Sequence, residues 1–175
     1  MKYFFIETDE RNRIPYSINK NRVIDTRKLN RKEFGTLPMW ITMEMEVPME
    51  VFFPDLLCSP CTLVSENFME AAAIYQPDIP CKGVQLWDRK SGLNVDYLLT
   101  LIEEADCLSD ETEYNSVGNR IVRMVLDRDR IGDRALFRVR GCGREGIVGR
   151  SDFLGSLMRR GGRGFRLEEI EVREK

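Results

Sequence analysis

Between Asn119 and Lys175, apolar periodicity and turn residues alternate so regularly that the stretch admits one order of elements: strand, strand, strand, helix, strand. The β-branched run Arg120–Leu126 predicts a strand with Val122, Met124 and Leu126 on one face. The charged, glycine-containing cluster 127–133 predicts a reversal. In Ala135–Arg140, Phe137 and Val139 alternate with Arg138 and Arg140, the period-two pattern of a half-buried strand. After a glycine-rich loop at 141–146 and the apolar pair Ile147-Val148, Ser151 is the expected N-cap of a short helix. Phe153, Leu154, Leu157 and Met158 form its apolar side, and Gly161-Gly162 its stop. The closing run 165–172 alternates through Leu167 and resumes at Ile170 and Val172, which predicts a bulge near Glu168-Glu169.

Upstream, Tyr3–Ile6 reads as an opening strand, followed by a charged loop at Glu10–Arg13 and an irregular segment around Pro15. Ile41–Val47 alternates Ile41, Met43, Met45 and Val47 against Thr42, Glu44 and Glu46, an amphipathic strand that Pro48 ends. Val51–Phe53 and Leu56-Leu57 are expected on the core. Ser65 is the expected cap of a helix carrying Phe68, Ala72 and Tyr75 on one face, stopped before Pro77. Gly83–Trp87 and Asp96–Ile102 supply further apolar elements. The sequence therefore predicts an α+β domain of mostly antiparallel sheet with a few short helices over 1–175. Two similar strand-helix-strand units are expected, in parts 1–102 and 119–175, joined by an acidic surface loop at 103–118.

The motifs Cys-Leu-Ser-Asp at 107–110, Val-Leu-Asp-Arg-Asp-Arg-Ile-Gly-Asp at 125–133, Leu-Phe-Arg-Val-Arg-Gly at 136–141 and Gly-Phe-Arg-Leu-Glu-Glu-Ile-Glu-Val at 164–172 carry a resemblance. Together they resemble a bacterial immunity-protein group of polymorphic toxin systems, including domains of unknown function. It covers the C-terminal 70 or so residues, and Leu63–Trp87 more loosely. The resemblance implies a small cytoplasmic protein that binds and neutralises a cognate toxin without chemistry of its own; no cofactor is implied.

Charge is what the residues themselves add. The net charge is −2, but residues 1–33 carry +4, residues 34–118 carry −12 and residues 119–175 carry +6. Such a distribution serves either internal pairing or the steering of a basic partner. Six of the acids fall between 103 and 113, and Glu103, Glu104, Asp106, Asp110, Glu111 and Glu113 are the first partner-binding candidates, with Glu44 and Glu46 second. No histidine is present, which removes the commonest general base near neutral pH. The five cysteines are an odd number without an export signal, so free thiols are expected. Cys58 and Cys61 have zinc-knuckle spacing but no second CxxC or histidine to complete a site. No stretch approaches the roughly 20 apolar residues of a spanning helix, so a membrane role is not expected. The competing reading is a nucleic-acid-binding module built on Arg138, Arg140, Arg144, Arg150, Arg159, Arg160, Arg163 and Arg166, with Phe165 stacking on a base.

Overall fold

The computed structural model describes residues 1–9, 18–47 and 52–174, so the expectations for Glu10–Arg13, Pro15, Pro48 and Val51 lie outside the described residues. The chain is α+β. In order, its strands and helices are β1 (Tyr3–Thr8), β2 (Trp40–Met45), β3 (Leu56–Leu57), β4 (Leu63–Val64), α1 (Glu66–Ala73), β5 (Cys81–Asp88), β6 (Asn94–Thr100), β7 (Glu104–Ala105), β8 (Glu113–Tyr114), β9 (Ile121–Arg123), β10 (Val125–Asp127), α2 (Arg128–Ile131), β11 (Leu136–Val139), β12 (Ile147–Arg150), α3 (Ser151–Arg159) and β13 (Phe165–Arg173).

Two larger sheets share one plan. The first runs β2-β5-β6-β4-β3 and the second β10-β13-β1-β12-β11, extended by β7. In each, the first pair is parallel and the next three are antiparallel. In each, a helix joins the fourth strand of that order to the second, α1 between β4 and β5 and α3 between β12 and β13. The two strand-helix-strand units of the sequence are thus present, but the boundary differs from residues 103–118. The middle strand of the second sheet is β1, from the chain's first residues, while its counterpart β6 follows β5 directly.

Among the described residues, three apolar cores follow from this plan. Side chains alternate faces along a strand, so a strand with a core on each side reads as a continuous apolar run. Ile6, Leu56, Val64, Leu136 and Ile147 point to a central core with Phe68 of α1 and Phe153, Leu154 and Leu157 of α3. Their neighbours Leu57 and Leu63 face a second core covered by Ile18, Ile24 and Phe34. Tyr3, Phe5, Phe137 and Val148 face a third. The two helices meet edge to face, Phe68 and Phe153 with ring centroids 5.3 Å apart and Tyr75 and Phe153 6.3 Å. The Tyr75 hydroxyl reaches the Asp152 carbonyl at 3.0 Å. Asp55 adds a polar joint: it accepts from the Ser65 hydroxyl and from the Arg163 amide at 2.7 Å, tying the cap of α1 to the turn before β13.

Several local expectations are corrected. Arg120–Leu126 is two strands broken at Met124: β9 pairs with β8, whereas β10 pairs with β13, so Val122 is exposed and Val125 joins Leu126 inside. The reversal at 127–133 contains the one-turn helix α2, whose N-cap is the buried Asp127 accepting from the Asp129 and Arg130 amides. Ser65 caps α1 as expected, accepting from the Phe68 amide. Ser151, by contrast, is the first residue of α3; its own amide donates to the Lys2 carbonyl, and Arg150 occupies the cap position. Met158 points outward at 55% exposure. The stop is as expected, with Gly161 at φ +80° and the Gly162 and Gly161 amides donating to Leu157 and Met158. No bulge occurs at Glu168-Glu169; β1 and β13 pair in unbroken register from Thr8↔Phe165 to Tyr3↔Ile170. The apolar positions change phase because the core changes side: Phe165 meets the central core, and Ile170 and Val172 meet the third.

Candidate partner interface

The acidic stretch is not a free loop. Glu103 and Ala105 accept through their carbonyls from the Arg138 and Arg140 amides at 2.8 and 2.9 Å, which docks β7 on one edge of the second sheet. A few residues on, Asp127 N–H donates to the Cys107 carbonyl at 2.8 Å and Ser109 N–H to the Val125 carbonyl at 2.9 Å, beside β10 on the opposite edge. One segment therefore joins both edges and wraps the sheet around its core, where Ala105, Cys107 and Leu126 pack with Tyr3 and Phe137. Alternation does the rest: Ala105 and Cys107 point in, and Glu104 and Asp106 point out.

This geometry sorts the eight sequence candidates. Glu103 pairs with Arg31 at 3.0 Å, Glu111 with Arg173 at 3.1 Å and Glu113 with Arg123 at 2.7 Å. Glu46 lies past the end of β2 between Lys90 at 2.7 Å and Lys20 at 3.1 Å, and these ammoniums hold its carboxyl below the ordinary value. Among the described residues, the carboxylates of Glu44, Glu104, Asp106 and Asp110 have no hydrogen-bond or ion-pair partner. Glu44 and Glu46 lie on and just past β2, at the edge of the first sheet, whereas the 103–113 acids begin on β7, at the edge of the second. Exposed ion pairs contribute little to stability, so the paired acids chiefly fix local geometry.

The arginines of the competing reading are largely committed. Arg144 pairs with Glu168 at 2.7 Å and Arg166 with Glu7, Arg150 with Asp152 at 2.8 Å and Arg160 with Glu70 at 2.8 Å. Arg163 lies over the Phe52 ring at 4.7 Å and Arg159 donates to the Ser156 hydroxyl. Phe165 packs against the central core, which takes its ring away from base stacking. Arg138 and Arg140 stay exposed and border a cleft of about 990 Å³ together with Arg31, Arg134, Tyr75 and Glu104.

The five cysteines are free. Burial pushes the Cys61 thiol up to about 12 and Cys107 up to about 11, and raises Cys58 and Cys142 as well. A thiol that holds its proton this firmly is a poor nucleophile at neutral pH. Among the described residues no three His, Cys, Asp or Glu side chains gather as metal ligands, and no helix is long and apolar enough to cross a membrane.

Sequence reasoning missed the hairpin of β8 and β9. It forms a separate two-stranded sheet and exposes Tyr114, Val117 and Val122. The signal was legible: Asn115 and Gly118 are turn residues set between Tyr114 and the Ile121-Val122 pair. The chain matches no protein-family model and no curated protein.

Proposed function

We propose that the chain is an immunity protein that neutralises a cognate bacterial toxin domain by binding it. The observation that carries this reading is the set of carboxylates on Glu104, Asp106 and Asp110. They stand unpaired on a segment whose backbone is stitched into the sheet at both ends, while most neighbouring charges are consumed internally. Fixed charge that is not tied up in an ion pair accelerates encounter with an oppositely charged surface more than it deepens final affinity. The resemblance of the C-terminal motifs to immunity proteins of polymorphic toxin systems supports the same reading.

The test is co-expression with the variable C-terminal domain of the secreted protein that this reading expects to be encoded beside this chain. The parent chain is expected to restore growth. A Glu104→Gln, Asp106→Asn, Asp110→Asn variant is expected to associate several-fold more slowly at low salt, with a flatter salt dependence. A variant that associates as fast as the parent at low salt contradicts this choice of charges, and a parent chain that gives no protection contradicts the function.

A further inference from the structure

We propose that the open part of one face of the first sheet docks an extended segment of a partner protein that carries two lysines or arginines, one over Trp40 and the other beside Trp87. The inference uses residues of the first sheet alone and stands whether or not the toxin-binding reading does.

Residues paired across neighbouring strands share a face of the sheet. One such row joins Trp40 of β2, Gly83 of β5, Leu98 of β6 and Val64 of β4. At its β4 end the row belongs to the central core beneath α1, with Val64 fully buried and Leu98 packed against it. At its β2 end the cover stops, and Trp40 is 65% exposed. The next row on this face holds Gln85 and Asp96, the one after it Glu44 and Trp87, and none of these four is buried. Both tryptophans of the chain therefore stand on the part of the face that α1 leaves open.

Trp40 is also held flat. A Cβ on Gly83 would come within 2.6 Å of the indole, so the ring lies directly on the glycine backbone. Glycine inside a strand marks such a close approach. The contact covers the inner face of the ring and leaves the outer face to solvent. An indole face attracts a cation more strongly than the other aromatic rings do.

Each indole has a carboxylate near it. Glu44 is paired directly with Trp87, and Asp96 is the diagonal neighbour of Gly83, at about 7–8 Å. Among the described residues neither carboxylate has a hydrogen-bond or ion-pair partner. No lysine or arginine stands in the three rows. The ammonium of Lys82 reaches the Met39 sulfur at 3.5 Å, and those of Lys20 and Lys90 are taken by Glu46.

Shape and charge choose the occupant. Gly83 and Trp87 are four residues apart on β5, about 13 Å, which is also the span of four residues in an extended partner chain. A small cation would need a concave site to enclose it, and this is an open sheet face. Nucleic acid would set its phosphates against the two carboxylates. A second copy laid face to face would bring two more carboxylates and no cation. A segment with basic side chains four positions apart meets both indoles at once.

The experiment follows the tryptophan emission of the full chain, which reports on this face alone, during titration with a capped threonine-serine peptide carrying two arginines four positions apart. A saturable change is expected, and the same peptide with glutamates in place of the arginines should give none. Trp40→Phe and Trp87→Phe each leave one reporter, and both reporters should respond. A Glu44→Gln, Asp96→Asn variant is expected to bind roughly fivefold more weakly, the sum of two exposed ionic contacts. An Asp106→Asn, Asp110→Asn variant, with the same change in net charge, should bind as the parent does. No saturable change at millimolar peptide, a silent tryptophan, or equal weakening in the two charge variants overturns the proposal. A tighter response to a neutral linear hexasaccharide would make the occupant a glycan and overturn it too. So would a parent dimer, seen by sedimentation and abolished in the Glu44→Gln, Asp96→Asn variant, since the occupant would then be a second copy. All of these results leave the toxin-binding reading untouched.

Discussion

Phe153→Ala is expected to lower the unfolding free energy by about 3–5 kcal/mol, the range for deleting a buried aromatic ring. The ring is fully buried at the contact of α1 with α3, in edge contact with both Phe68 and Tyr75, in a core to which both sheets contribute. Its loss leaves a void between two helices that are held from both ends, by the Asp55 joint and by Tyr75 on Asp152, so collapse into the space is restricted. Since small domains are stable by only about 5–15 kcal/mol, the effect should be visible as a large fall in the urea midpoint. Met158→Ala on the exposed side of the same helix is the control, expected within about 0.5 kcal/mol of the parent. A Phe153→Ala change under about 1 kcal/mol would contradict the placement of this ring at the joint.

Stability is expected to fall steeply above about pH 9 through the buried thiols. Their folded values are raised, Cys61 to about 12 from 9.0 by burial, and Cys107 to about 11, with burial first among its causes and Arg134 opposing it. The folded protein therefore keeps protons that the unfolded chain releases. Below the unfolded value the two states bind the same number and nothing is lost; as pH rises toward the folded values the unfolded state gains. For Cys61 the loss by pH 11 is on the order of 3 kcal/mol, with Cys107 adding about 2. Lysine and tyrosine also titrate in this range, so the readout is a difference in slope: urea midpoints from pH 8 to 11 for the parent and for Cys61→Ala. The variant starts less stable and should fall more gently. Parallel lines would mean that Cys61 is not shielded from water.

Where one face of an element is wet, the sequence was sufficient. Phe137 and Val139 against Arg138 and Arg140, and Ile41, Met43 and Met45 against Thr42, announce strands because burial on one side alone leaves a period of two. Runs such as Leu56-Leu57 and Ile147-Val148 give no such period, since cores lie on both sides of them, and only their flanking turns place them. Long-range pairing was not legible. Nothing local in Tyr3–Thr8 says that it lies between β12 and β13, about 140 residues or more away in the chain. The six acids of 103–113 were found as a group, but the pairing of Glu103 with Arg31 and Glu111 with Arg173 depends on the tertiary fold. The alternation of Glu104 and Asp106 with Ala105 and Cys107 did carry a strand signal, which the density of charge obscured.

The central claim is that protection comes from occupancy of the toxin by this chain. It is tested most directly by titrating a fixed amount of active toxin domain with the purified protein and measuring residual toxin activity. The account predicts a linear fall to zero with the end point at a fixed molar ratio. Suppression by a small fraction of an equivalent, growing with time, would contradict it, because a chain that acts repeatedly is doing chemistry.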